Sequence, residues 1–248
     1  MNTPSSSSPR PDDYFATTRW TVVLQAGRKF SPHSDRALAE LCESYWYPLY
    51  CYVRRRVSSR EDAEDLVQAY FERLIDRNIL DGLSADRGRF RAFLLASLKH
   101  FLANEWDKAG RQKRGGGVQP LSLDWQDAES RFQQEPPDPA ANPEQIFDRQ
   151  WALAVLERVI QRLRDECIAD SKTHLFEQTK GYLMVGEEAI PYAEAATMLG
   201  MDAGAVRVAV HRLRKRYRLL LRDEIAQTLT DPDQVPDELR SLQAALSC

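Results

Sequence analysis

The chain has 248 residues, 43% of them hydrophobic, and a formal net charge of −3. This length and apolar content predict one large or two small globular domains, and the near-neutral charge excludes a protein that is basic over its whole surface. No apolar run approaches the roughly 18 residues of a membrane span, and the Ser/Pro-rich N-terminus lacks a signal-peptide core. We therefore expect a cytoplasmic protein without membrane contacts.

Motifs of catalysis and of metal binding do not occur in the sequence. The chain has no Walker loop, no HExxH and no GxSxG, and its four histidines lie far apart. The cysteines form neither a CxxC pair nor a zinc-type spacing with histidine; they are Cys42, Cys51, Cys167 and Cys248. These features predict reduced thiols, no metal or cofactor, and no enzymatic activity of the chain's own.

The N-terminal part of the chain, residues 1–34, is predicted to be an extension with one short helix around Trp20. A longer helix is predicted from Asp35 to about Val57. Pro48 lies inside the apolar pattern of this helix, and we expect it to kink the helix or to divide it.

A third helix begins after Ser58 or Ser59 with the sequence EDAEDLVQAYFERLIDR. Its apolar residues recur at helical spacing and predict a buried stripe of Ala63, Leu66, Val67, Tyr70, Phe71 and Leu74. The remaining face is mostly acidic and consists of Glu61, Asp62, Glu64, Asp65, Gln68 and Glu72. Two interpretations stay open: these acids stabilise the helix N-terminus, or they form a docking face for a basic partner.

The next helical stretch, RFRAFLLASLKHFLANEWDKAGRQKRGGG, combines aromatic residues with basic residues and asparagine. Aromatic rings beside Lys, Arg and Asn can capture a single strand, because bases stack on the rings and the cations neutralise phosphates. The simpler alternative is that Phe93, Phe101 and Trp106 belong to the hydrophobic core.

The composition changes after the triple glycine that ends this stretch. Residues 115–146 hold five prolines, six acids and one base, which predicts an extended acidic linker. Helices resume at Phe147. Residues 223–248 are predicted to be an acidic tail that ends in a small helix around Leu239–Leu246.

The stretch from Ile190 to Arg222 has the pattern of a helix-turn-helix. Gly200 ends a short first helix and Asp202 caps the second, in which Ala203 to Arg222 include seven Lys/Arg and no Asp/Glu. The second helix of such a motif lies in a DNA major groove. The alternatives are a solvated basic face, or a helix that binds a membrane surface or a calmodulin-like partner.

Three motifs in this order resemble bacterial sigma-70 family factors of the extracytoplasmic-function (ECF) type: DAEDLVQAYFERL at 62–74, FRAFLLASLKHFLANEWDKAGRQKR, and the helix-turn-helix. The resemblance covers roughly residues 36–112 and 150–222. It implies an all-α fold with a sigma region 2-like bundle at 35–114 and a sigma region 4-like domain at 147–222, joined by the linker. It also implies a specificity subunit of RNA polymerase that directs promoter-specific initiation and has no catalytic site.

The resemblance implies a partner for each domain. The first domain is expected to bind the β′ clamp helices of core RNA polymerase through Asp62, Glu64, Asp65 and Gln68. It is also expected to capture the melted minus-ten element of promoter DNA with the loop at 84–90 and with Lys99, His100, Ala103, Asn104 and Lys108. The second domain would pack on the β flap and read the minus-thirty-five element through Ala205, Arg207, Val208, His211 and Arg212. Its phosphate contacts would be Arg214, Lys215 and Arg218.

The sequence departs from the commonest ECF pattern in both DNA-facing helices. His100 and Asn104 stand where many ECF factors carry Asn and Asp, and Arg207 with its two following residues replaces a common Lys/Ser/Arg cluster. The preferred promoter bases therefore stay open. A dimeric DNA-binding regulator is the second hypothesis, and the acidic face argues against it. We expect control through a separate anti-sigma factor, a kinase, the level of expression or the acidic tail.

Overall fold

A computed structural model of the chain describes residues 19–26, 31–76, 89–109, 125–134, 142–183 and 189–247. These residues form ten α-helices and two short 3₁₀ turns, and the only strand-like pairing among them is a single antiparallel bridge. The prediction of an all-α fold is confirmed. None of the helices described combines the length and the apolar character that a bilayer crossing requires.

The chain divides into two compact units. The first unit comprises Met1–Trp151 and Ala226–Cys248, and the second comprises Ala152–Ile225. The helices whose residues lie wholly or mainly in the first unit are α1 (Arg19–Ala26), α2 (Pro32–Arg54), α3 (Arg60–Ile75), α4 (Phe90–Ala109), α5 (Trp125–Gln134) and α10 (Val235–Leu246). The remaining helices are α6 (Pro143–Ala169), which contains the division, α7 (Thr173–Thr179), α8 (Tyr192–Leu199) and α9 (Ala203–Ala226).

Helix α2 is the central element of the first unit. A capping box starts it: the Ser34 amide donates to Ser31 Oγ at 3.1 Å, and the Ser31 amide donates to Ser34 Oγ at 3.3 Å. The helix then continues through Pro48 to Arg54, so the expected division at the proline is wrong. Proline removes one backbone hydrogen bond, and the almost complete burial of the residues on both sides of Pro48 offsets that loss.

The predicted apolar stripe of the third helix packs into the core of the first unit. Ala63, Val67, Tyr70, Phe71 and Leu74 of α3 are fully buried, whereas Leu66 is partly exposed. The buried residues of α4 are Phe90, Phe93, Leu94, Leu98, Phe101 and Leu102. The two helices are also joined by a buried hydrogen bond from the Tyr70 hydroxyl to the Leu94 carbonyl oxygen, 3.2 Å long.

The predicted linker at 115–146 is not extended throughout, because residues 125–134 form helix α5. The helix docks on α2 through Glu129, whose carboxylate accepts hydrogen bonds from the Tyr50 hydroxyl and from Arg54. Burial raises the pKa of Glu129, but these hydrogen bonds and the Arg54 charge outweigh burial, so the pKa lies below its ordinary value. The acidic composition predicted a solvated, extended chain. Instead, this part is a helix, and the ion pair between Glu129 and Arg54 attaches it to α2.

The acidic residues after 223 also fold. Helix α10 belongs to the first unit and buries Val235, Leu242 and Ala245. The predicted small helix is present but begins at Val235, where Pro236 occupies its first turn. Residues 223–248 are therefore divided between the end of α9 and a segment that packs in the first unit, and the expectation of a separate tail needs correction.

The second unit has two apolar clusters. The first joins Val159, Leu163 and Cys167 of α6 to Phe176 of α7 and to Leu213 and Leu220 of α9. The second joins Ala195 and Ala196 of α8 to Val206 and Val210 of α9. Phe176 gives the stretch from 169 to 188 a structural role, because α7 contributes this fully buried ring to the core.

A turn of three residues, 200–202, joins α8 to α9. Gly200 ends α8 with φ of 63°, in the left-handed region that favours glycine. The Ala205 amide then donates to Asp202 Oδ1 at 2.8 Å, which caps α9. Both the glycine and the aspartate have the roles predicted from the sequence.

Gly200→Ala tests how far this turn depends on its glycine. A Cβ at this position meets no atom within 4 Å, so any loss of stability reports backbone strain at positive φ alone. We expect the free energy of unfolding to fall by about 1 kcal/mol in urea denaturation monitored by circular dichroism. Thr197→Ala, an exposed change in the same helix, is the control and should stay within about 0.5 kcal/mol of the wild type. Equal values for the two variants would contradict the assignment.

Candidate functional site

The acidic face of α3 is solvent-exposed at Asp62 and Asp65. Glu64 is only partly exposed and forms an ion pair with Arg60, and the Gln68 amide donates to Glu72 at 3.2 Å. The structure therefore places all four residues predicted to bind core RNA polymerase on one helix. Of these four residues, Asp62 and Asp65 have the most exposed side chains.

Stabilisation of the helix N-terminus accounts for some of these acids and not for others. The N-cap of α3 is Ser59, whose hydroxyl oxygen accepts a hydrogen bond of 2.9 Å from the Asp62 amide. The Asp62 carboxylate is not needed for that bond, and Asp65 lies beyond the first turn, where the helix dipole is weak. Stabilisation of the helix N-terminus therefore still applies to Asp62, which lies in the first turn, but not to Asp65, and the docking face stays a prediction.

The solvent side of α4 carries the residues predicted to contact the minus-ten element. Lys99, His100, Ala103 and Asn104 are all exposed. Lys108 lies in α4, but its side chain is outside the described residues, as is most of the predicted loop at 84–90. Thus α4 brings four of the five predicted residues together on its surface.

Lys99 already forms an ion pair with a carboxylate of the same unit. Its Nζ lies 2.7 Å from Glu144 Oε1, and Arg56 approaches the same oxygen at 3.3 Å. The hydrogen bond from Lys99 holds the pKa of Glu144 below its ordinary value. Glu144 was part of the predicted linker, and no pattern in the sequence indicated this contact.

The aromatic residues of α4 divide between the core and the surface. Phe93 and Phe101 are buried, which confirms the core alternative for both of them. Trp106 is 46% exposed and lies one helical turn after Ala103, on the same side of α4. Its exposed ring is available for stacking on a base, whereas the two phenylalanines are not.

The basic helix α9 exposes the residues predicted to contact duplex DNA. Arg207, Val208, His211 and Arg212 are exposed in the first half of the helix, and Ala205 is partly exposed. Arg214, Lys215 and Arg218, the predicted phosphate contacts, are exposed further along. The sequence-predicted set therefore lies on the surface of the second unit.

Two tyrosines that were not predicted to have a functional role hold part of this surface in place. Tyr182 and Tyr192 stack with ring centroids 4.7 Å apart, and the Arg207 guanidinium lies 5.5 Å from the Tyr192 centroid. Arg214 donates to the Tyr182 carbonyl oxygen at 3.0 and 3.2 Å. The pairing of aromatic residues separated by ten positions could not be recognised from helical periodicity.

Not every cation of α9 is available to phosphates. Arg216 forms two hydrogen bonds to the Glu166 carboxylate, one of them 2.6 Å long. The hydrogen bond from Arg216 lowers the pKa of Glu166. Because this pair joins α9 to α6, Arg216 has a structural contact inside the second unit.

Glu144→Gln tests whether Glu144 competes with nucleic acid for Lys99. Removing the carboxylate charge should raise the affinity for a single-stranded oligonucleotide about two- to fivefold at low salt, and less at high salt. Fluorescence anisotropy over a series of salt concentrations measures this. Glu43→Gln makes the same charge change at an exposed position of α2 and is the control. An equal gain in both variants would show an effect of net charge and not of Lys99.

One comparison with known proteins found a match, and it lies in the first unit. Residues 41–112 match the family model for Sigma-70 region 2, which is less than a third of the chain. The matched residues comprise most of α2 and all of α3 and α4, and thus both the acidic face and the exposed side of α4. No curated protein and no solved structure matches the chain. The family-model match supports a sigma-70 family factor.

Proposed function

We propose that the chain is an ECF-type sigma factor, a non-catalytic subunit that binds core RNA polymerase and directs promoter-specific initiation. The observation that carries this proposal is the region 2 match over α3 and α4, whose exposed residues suit two different partners. A protein of this kind acts in the cytoplasm, where its polymerase is.

The proposed partner of α3 is the β′ clamp-helix pair of core polymerase. A docking face of exposed carboxylates needs a basic partner, and charges of opposite sign increase both the rate of association and its specificity. Asp62 and Asp65 supply this charge from a helix whose other side is buried in the hydrophobic core of the first unit. The face is therefore rigid before it binds, which reduces the entropic cost of association.

The proposed ligand of α4 is the melted minus-ten element. Lys99 and His100 can contact the backbone, Asn104 can read base edges, and the Trp106 ring can stack on a base. These contacts suit a single strand, because stacking on an aromatic ring requires an unpaired base.

The proposed ligand of α9 is the minus-thirty-five element in duplex form. Arg207, Val208 and His211 lie in the first turns of the helix, from which base edges are read in a major groove. The cations further along would position the helix on the phosphates. The proposed second contact of this unit is the β flap, and each contact can be weak because both units belong to one chain.

Run-off transcription with purified core RNA polymerase and the DNA upstream of this protein's gene tests the first interface. Asp65→Lys reverses one exposed charge of the acidic face, and we expect at least about tenfold weaker core binding with a matching loss of transcript. The matched control is Glu43→Lys, which reverses an exposed charge on α2 and should retain both the binding of core polymerase and the transcript.

The same assay tests the second interface with Arg207→Glu. This variant should still bind core polymerase but lose the discrete transcript, since a base-reading cation becomes an anion that faces the phosphates. A wild-type protein that binds duplex DNA and never associates with core polymerase would overturn the proposal in favour of a dimeric regulator.

A further inference from the structure

The segment from Gln227 to Leu246 is bound in the first unit like an internal ligand. We propose that this C-terminal segment covers the start of α4 and holds Arg89 and Arg91, and that it must detach before the protein can capture the minus-ten element. The proposal rests on the proposed function, because capture of the minus-ten element is what the closed form prevents.

The first contact is a buried ion pair. Glu238 of α10 is 0% exposed, and its carboxylate accepts hydrogen bonds from Arg91 Nε at 3.0 Å and Arg91 Nη2 at 3.1 Å. Arg89 Nη1 lies 3.0 Å from the same carboxylate. A buried carboxylate held by two arginines anchors the segment at the residues that begin α4.

The second contact is formed by backbone groups. The Phe90 amide donates to the Thr228 carbonyl oxygen at 2.9 Å, and Arg89 pairs with Leu229 in an antiparallel bridge. The Trp20 amide donates to the Gln227 carbonyl oxygen at 3.2 Å. The segment therefore joins α1 to the first residues of α4.

These contacts lie at the proposed site of minus-ten capture. Arg89 and Phe90 end the stretch at 84–90 and lead into the exposed side of α4. Two cations at the start of a helix proposed to bind a nucleic acid strand, Arg89 just before α4 and Arg91 in its first turn, are thus held by an acid of the same chain. A closed segment leaves neither arginine available to phosphates.

A reversible disulfide tests the proposal in the full chain. Paired residues of an antiparallel bridge lie about 4.5–5.5 Å apart between Cα atoms, within the range that a disulfide spans. The pair Arg89→Cys and Leu229→Cys, combined with Cys248→Ser, can therefore lock the segment, and the other three cysteines are buried. The oxidised and reduced forms of this one variant are compared, with wild type under the same two conditions as the control.

We expect the oxidised form to bind core polymerase but to yield at least about tenfold less run-off transcript than the reduced form. Equal transcript from the two forms, while wild type transcribes, would overturn the proposal and leave the proposed function intact. No transcript from wild type would overturn the proposed function, and this proposal with it.

Glu238→Gln provides a second test without a disulfide. Losing the charge should release the segment, so the Trp20 and Phe90 amides should exchange hydrogen at least about tenfold faster, while α3 keeps its protection. Asp237→Asn, one residue earlier and exposed, is the matched control and should leave both amides slow. Equal loss of protection throughout the first unit, or no change at Trp20 and Phe90, would overturn the proposal.

Discussion

The buried carboxylate of Glu238 is the constraint on which the closed form of the first unit depends, because a charge removed from water must be neutralised where it lies. Arg89 and Arg91 neutralise it, and Arg91 also pairs with Asp148 and lies with its guanidinium 4.2 Å from the Trp151 ring centroid. Three parts of the chain that are distant in sequence are thereby held together: the start of α4, the first part of α6, and α10.

This polar cluster continues into the apolar core. The Trp151 indole N–H donates to the Tyr45 hydroxyl at 3.1 Å, and burial raises the pKa of Tyr45 well above its ordinary value. The Tyr45 ring packs edge-on against Phe90, which in turn contacts Trp20. Breaking the ion pair at Glu238 would therefore affect α1, α2 and α4 together, and a partner that releases α10 would act on the same cluster.

Local patterns predicted the helices well and the ion pairs poorly. The stripe of α3 and the glycine turn before α9 depend on spacing within ten residues, so periodicity and capping chemistry identified them. The pairs of Glu129 with Arg54, Glu144 with Lys99, and Glu238 with Arg91 join distant positions. The composition predicted that these acids would be solvated. In the structure, all three form ion pairs that attach the predicted linker and tail to the first unit.

Hydrogen exchange measured on the full chain, free and bound to core RNA polymerase with promoter DNA, tests the central claim most directly. The claim is that α3 binds the polymerase while the C-terminal segment detaches. The account predicts slower exchange along the exposed side of α3 in the complex and faster exchange at residues 228–246. Unchanged exchange in α3, or a C-terminal segment that stays protected in a complex that transcribes, would contradict it.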